Sequence, residues 1–278
     1  MDQKFAPLPP EDYVEPRCVL CGEPYGAETV QAVPQRRIIE KMDEYMARRD
    51  YAGAERHLLY WLSEAEMGGD RRGRLMVLGE LVGHYRKTGQ REKCLARAGE
   101  ALKLIEAMDY GRTVSAGTAW VNVATAYSAF QMPEQALTYF EKARAVYEEN
   151  AAAPQLLGGL YNNMALVCAT LGRYAEAHAL YDRAMACMAE VPGGALEQAI
   201  SCLNRADAVA AERGSEEGEA EIASLLDRAW ELLHSPGVPQ NGYCAFVYEK
   251  CAPSFGYYGR FMDASELKKE AEELYEGT

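Results

Sequence analysis

Six positions recur along the chain at nearly equal spacing: Ala54, Cys94, Ala136, Ala177, Ile222 and Ala264, separated by 40, 42, 41, 45 and 42 residues. An interval of this size marks a repeat architecture, in which one supersecondary unit cannot bury its apolar face alone and stacks on its neighbours. Around the marks, apolar residues fall at helical spacing, so each unit reads as a pair of helices. The clearest unit is GTAWVNVATAYSAFQMPEQALTYFEKARAVYEEN. Trp120, Val123, Ala124 and Tyr127 form its first stripe, and Ala136 with Phe140 forms its second. The next unit, LYNNMALVCATLGRYAEAHALYDRAMACM, repeats the scheme with Tyr161, Met164, Ala165 and Cys168, then Gly172 at the turn, then Ala177, Tyr181 and Ala184.

These motifs resemble the tetratricopeptide repeat family, in its long-unit, kinesin light chain-like variant of roughly 42 residues. The resemblance implies an all-α fold, a right-handed helical-repeat superhelix of about six antiparallel helix pairs over residues 34–278. The outer units depart from the pattern. Unit one has Trp61 where a small residue is expected, unit five has the long turn RGSEEGEAE, and unit six has Pro253 inside its first helix, where a kink is expected. The final helix, MDASELKKEAEELYEG, can cap its own end by turning Ala264, Leu267, Ala271 and Leu274 inward.

Six of the twelve prolines fall in the first 34 residues, so residues 1–33 read as an extended leader. Unit one, with Leu58, Leu59, Tyr60 and Trp61, offers more apolar surface than one neighbour buries, and the leader or a second subunit is expected to cover it. Phe5, Leu8, Tyr13, Val14 and Tyr25 are the leader residues expected to pack there. In RCVLCGEPYG, Cys18 and Cys21 resemble one knuckle of a zinc ribbon, which is half a site. Zinc is the only cofactor left open, and its other ligands would come from a second subunit, a partner, or Cys244 and Cys251. The alternative is a pair of reduced structural thiols. Cys94, Cys168, Cys202 and Cys251 are expected to act as small hydrophobes between helices.

The chain carries 42 acidic against 29 basic residues, a net charge of -13, which disfavours nucleic acid and anionic membranes as partners. It contains no apolar run of membrane-spanning length and no secretory signal pattern, so a cytoplasmic protein is expected. Phosphate-loop, dinucleotide-binding, nucleophile-elbow and zinc-protease motifs are all missing, and His57, His84, His178 and His234 stand singly. An enzyme is not expected.

In the family resembled, the first helix of each unit lines a concave groove. Side chains just beyond the register aromatic then point into it: Val121 and Asn122, Asn162 and Asn163, Leu203 and Asn204. Asparagine both donates and accepts, so a ladder of asparagines can bracket the backbone of an extended peptide. Interhelical hydrogen bonding is the competing role. Thr125, Ser128, Leu166, Asp207, Arg86 and Lys87 complete the groove, with Arg86 and Lys87 as its basic pair. Asn122, Asn163 and Asn204 are expected to be partly exposed, and Trp120, Tyr127, Phe140 and Tyr161 buried.

The function expected is a non-enzymatic scaffold that binds a protein or peptide segment. A peptide-sensing regulator is the alternative, and a metal or thiol protein centred on the C-x-x-C pair is the third possibility.

Overall fold

The computed structural model describes residues 30–276, and the regular structure in them is twelve helices with no strand. The expected all-α helical repeat is therefore present. Packing divides the chain into two compact units, the first ending at Asn150 and the second beginning at Ala151. The first unit contains α1 (Gln35–Ala47), α2 (Tyr51–Met67), α3 (Arg71–Lys87), α4 (Arg91–Ala107), α5 (Val114–Ala129) and α6 (Pro133–Glu149). The second contains α7 (Pro154–Thr170), α8 (Tyr174–Ala189), α9 (Ala195–Arg213), α10 (Glu219–Leu233), α11 (Gly242–Tyr257) and α12 (Phe261–Glu276). Consecutive helices pack in pairs, α3 with α4, α5 with α6, α7 with α8, α9 with α10 and α11 with α12.

Each register mark is the fourth residue of its second helix, and all six are buried, from 0% exposure at Ala54 to 7% at Ala264. The position ends the first turn of its helix and is turned into the core. There the Ala136 N–H bonds to Met132 O and the Ala177 N–H to Arg173 O, both at 3.0 Å. Small side chains fill five of the six positions, and the larger Ile222 is buried beside the longer turn.

Five of the six pairs are joined by three residues, 48–50, 88–90, 130–132, 171–173 and 258–260, each with a left-handed middle residue: Arg49, Gly89, Gln131, Gly172 or Gly259. The residue after it reaches back five positions, as in Gln90 N–H to Tyr85 O at 2.9 Å and Arg173 N–H to Cys168 O at 2.8 Å. This αL closure satisfies carbonyls left open at the helix end and reverses the chain in the fewest residues. The α9–α10 turn is longer, residues 214–218, as its sequence implied. Most helices are 16 or 17 residues long, which accounts for the long repeat. α11 runs unbroken through Pro253, whose side chain is exposed.

At the start of the described chain, Gln31 N–H bonds to Gly68 O at 3.1 Å and Val33 N–H to Asp70 Oδ2 at 2.9 Å. Val33 is buried there. Asp70 Oδ1 meanwhile caps α3 through Gly73 N–H at 2.8 Å, so one buried carboxylate ties the incoming segment to a helix end. The expected packing of the rest of the leader, and both Cys18 and Cys21, lie outside the described residues.

Core expectations hold for Phe140 and Tyr161 and fail for two aromatics. Trp120 and Tyr127 are only half-buried. Tyr127 stacks on Tyr139 at 5.6 Å, and Trp120 faces a surface cleft. In unit one, Leu58 and Trp61 turn inward while Leu59 and Tyr60 stay exposed. Ala264, Leu267 and Ala271 turn inward on the last helix as expected, with Leu274 half-buried. No helix among the described residues is long and apolar enough to cross a membrane.

Candidate functional site

Within each unit the first helices of successive pairs lie side by side: α3 on α5 in one, α7 on α9 and α9 on α11 in the other. Asn122 and Asn163 stand fourteen residues before Ala136 and Ala177; the same count back from Cys94 and Ala264 gives Glu80 and Lys250, and from Ala54 and Ile222 it gives Glu40 and Ala208. Sequence reasoning missed Glu80 and Lys250 because it searched for asparagine. Counting from the mark would have found them.

The asparagines divide into two kinds. Asn162 is not a free groove residue: its Oδ1 accepts from Asn204 Nδ2 and from Ser201 Oγ, each at 3.1 Å. That is the interhelical role, joining α7 to α9. Asn163, one residue on, is half-buried and its side chain makes no hydrogen bond among the described residues. Asn122 is likewise half-buried, with no side-chain hydrogen bond among them, its amide lying where a Cβ on Gly79 would come within 2.9 Å. Glycine at 79 therefore makes the room that Asn122 occupies.

Thr125 turns back on its own helix, Oγ1 donating to Val121 O at 2.7 Å. Leu166 is exposed, whereas Leu203, expected in the groove, is buried at 3% because it faces the core between α9 and its neighbours. Arg86 is half-buried and Lys87 exposed, both in the last turn of α3. Lys87 pulls the Glu80 carboxyl down, but burial outweighs it and, with Asp43 nearby, holds Glu80 above the ordinary carboxylate range. Asp207 is exposed at one side and accepts the Tyr258 hydroxyl at 2.8 Å. Desolvation against that wall raises its pKa, and the Tyr258 bond opposes the rise.

The first-helix face of the second unit also carries a feature that the sequence reading passed over. Tyr243, Phe246 and Tyr257 on α11 are 47%, 52% and 76% exposed, in one stripe with Lys250 and Pro253. Tyr243 and Phe246 stack at 6.3 Å, and Tyr243 donates its hydroxyl to Glu197 on α9 at 2.6 Å. A cleft of about 600 Å³ opens between Asp207, Ala211, Pro253 and Tyr257. Carboxylates on this face are held by tyrosine hydroxyls, while Lys250 has no ion-pair partner among the described residues.

Cys94, Cys168, Cys202, Cys244 and Cys251 are buried free thiols. Burial pushes Cys94 and Cys202 up to about 11 and Cys251 to about 12, the opposite of what a metal-binding or reactive thiolate needs. Among the described residues no group of three or more His, Cys, Asp and Glu side chains is placed to hold a metal ion.

No protein-family model matches the chain, and no curated protein matches it by sequence. Solved structures do. BtubC (BKLC) from P. vanneervenii is 16% identical with a TM-score of 0.54, over 83% of this chain and 91% of that one. A Podosopora anserina kinesin light chain protein of nearly identical TPR-like repeats is 17% identical with a TM-score of 0.52, over 73% and 95%. A Rap protein, solved in complex with Competence and Sporulation Factor, is 15% identical with a TM-score of 0.56, over 87% of this chain and 64% of that one. The chain thus has the tetratricopeptide-type helical repeat fold, with the long units that its spacing implied.

Proposed function

We propose that the protein is a non-enzymatic scaffold that binds an extended protein segment on the first-helix face of its repeats. The observation that carries this reading is the exposed stripe Tyr243, Phe246, Lys250 and Tyr257 on α11, in which Lys250 holds the register position that Asn163, with no side-chain hydrogen bond among the described residues, holds on α7. Exposed aromatic rings in a cleft give a partner's apolar side chains area to bury, and a free amide offers a donor and an acceptor to its backbone. An unpaired lysine in an acid-rich chain adds a site for a carboxylate. The Rap protein, which shares the fold, was solved with a bound factor, consistent with this use of the architecture.

Panning a random peptide display library against the full chain tests the reading. Selected peptides should protect amides of α7, α9 and α11 from hydrogen exchange, and Asn163→Ala with Phe246→Ala should weaken them by about tenfold or more at unchanged melting temperature. Peptides that protect only the second helices, or that ignore both substitutions, would refute it.

A further inference from the structure

Trp120 and Tyr161 hold the same place in successive repeats, sixteen residues before Ala136 and Ala177, yet they are covered differently. The Arg183 guanidinium lies 4.0 Å from the Tyr161 ring centroid, its Nη2 donates to the Tyr161 hydroxyl at 2.5 Å, and Tyr161 is buried. The matching residue on α6 is Lys142, six after Ala136 as Arg183 is six after Ala177. Lys142 stands over the Tyr139 ring instead, at 5.1 Å, and Trp120 is only half-buried.

Trp120 forms the floor of a cleft of about 610 Å³ between α4 and α6, with Tyr139 and Leu102 as walls. The cleft stays open because two glycines border it. Nothing lies within 4 Å of where a Cβ on Gly99 would stand, and one on Gly111 would meet only the indole, at 3.7 Å. Glu106 and Asp109 are exposed at the rim, neither in an ion pair among the described residues. Glu106 lines the same cleft as Tyr139, and burial, the Tyr127 neighbour and Glu106 together raise the Tyr139 hydroxyl.

We propose that this cleft binds an arginine side chain of a protein partner, its guanidinium stacked on the Trp120 indole and its N–H groups donated to Glu106 or Asp109. Arg183 on Tyr161 is the template for the contact within the same chain. A planar, weakly hydrated guanidinium suits an aromatic face with carboxylates beside it, and a net charge of -13 draws basic partners. Lys103 and Lys142 also border the cleft. An acidic side chain could pair with them, but it would meet the negative faces of two rings, one of which already holds Lys142. The site is walled by the second helices α4 and α6 with Trp120 of α5 as its floor, and it does not depend on binding at the α11 stripe.

The test titrates the full chain, labelled with ¹⁵N at tryptophan, with three blocked tripeptides: Gly-Arg-Gly, its uncharged citrulline counterpart, and Gly-Glu-Gly. The arginine peptide should shift the Trp120 indole N–H saturably and bind at least about threefold tighter than the citrulline peptide. Glu106→Gln with Asp109→Asn, which alters only exposed side chains, should remove that preference at unchanged melting temperature. Trp120→Phe identifies the resonance, and if that variant does not fold, the rim variant still reads the preference for charge. Equal binding of the citrulline peptide, tighter binding of the glutamate peptide, or shifts confined to Trp61 and Trp230 would overturn the proposal.

Discussion

Asn204 Nδ2 donates to Asn162 Oδ1 at 3.1 Å, and Ser201 Oγ donates to the same oxygen at 3.1 Å. Ser201 is buried, so this oxygen satisfies a hydroxyl that water does not reach. Asn162→Ala should therefore cost about 1 to 3 kcal/mol by orphaning its partners. Asn163→Ala, one residue on, should change stability by less than about 0.5 kcal/mol. Urea unfolding of the two variants separates a structural asparagine from an available one, and equal losses would erase the distinction.

Gln131 occupies the left-handed position that glycine fills at 89, 172 and 259. With φ at 61°, its Cβ is crowded in a way glycine avoids. Gln131→Gly should stabilise the protein by about 0.5 to 1 kcal/mol, the relief of strain exceeding the added chain entropy. Gly172→Ala should have the opposite sign. Paired thermal melts decide it.

Asp70 accepts the Val33 N–H with one oxygen and the Gly73 N–H with the other. Asp70→Asn keeps a carbonyl oxygen for the α3 cap but turns an N–H₂ toward the Val33 N–H, while Asp70→Ala loses both bonds. The alanine variant should lose about 1 to 2 kcal/mol for the cap alone. Hydrogen exchange should show Val33 exposed in both variants and Gly73 only in the alanine one.

His57 and His84 both have pKa values pushed below the ordinary 6.5, chiefly by burial. His57 Nε2 lies 3.2 Å from Ile38 O, a group that can only accept, so the ring is held as the Nε2–H form. Both rings are neutral in the folded protein near pH 7. As pH falls through 6.5 the unfolded chain takes up protons that the folded chain refuses, so stability declines until pH reaches the lower folded values, then levels off. Denaturation between about pH 7 and pH 5 should show the slope, and His57→Gln with His84→Gln should flatten it.

Much of this architecture was legible beforehand because it rests on local rules. The position of Ala136 or Ala177 in its helix follows from spacing, since a helix presents the same face every three or four residues and that face is buried here. Gly89, Gly172 and Gly259 likewise announce the turn, because a left-handed residue strains any other side chain. Gln131 and Arg49 do so without glycine, and only the common interval reveals them.

The site was less legible. Asn162 and Asn163 are the same residue type at adjacent positions, and which one is spent on structure depends on Ser201 and Asn204 about forty residues away. The same holds for Trp120 and Tyr161, matched in register and separated in exposure by whether the covering cation is Lys142 or Arg183 and by where its rotamer points. Periodicity determines the face on which a side chain lies, because that is a property of one helix. Whether it is covered, bonded or left open is settled by packing among several helices, and distant residues reach those places only when the chain is folded.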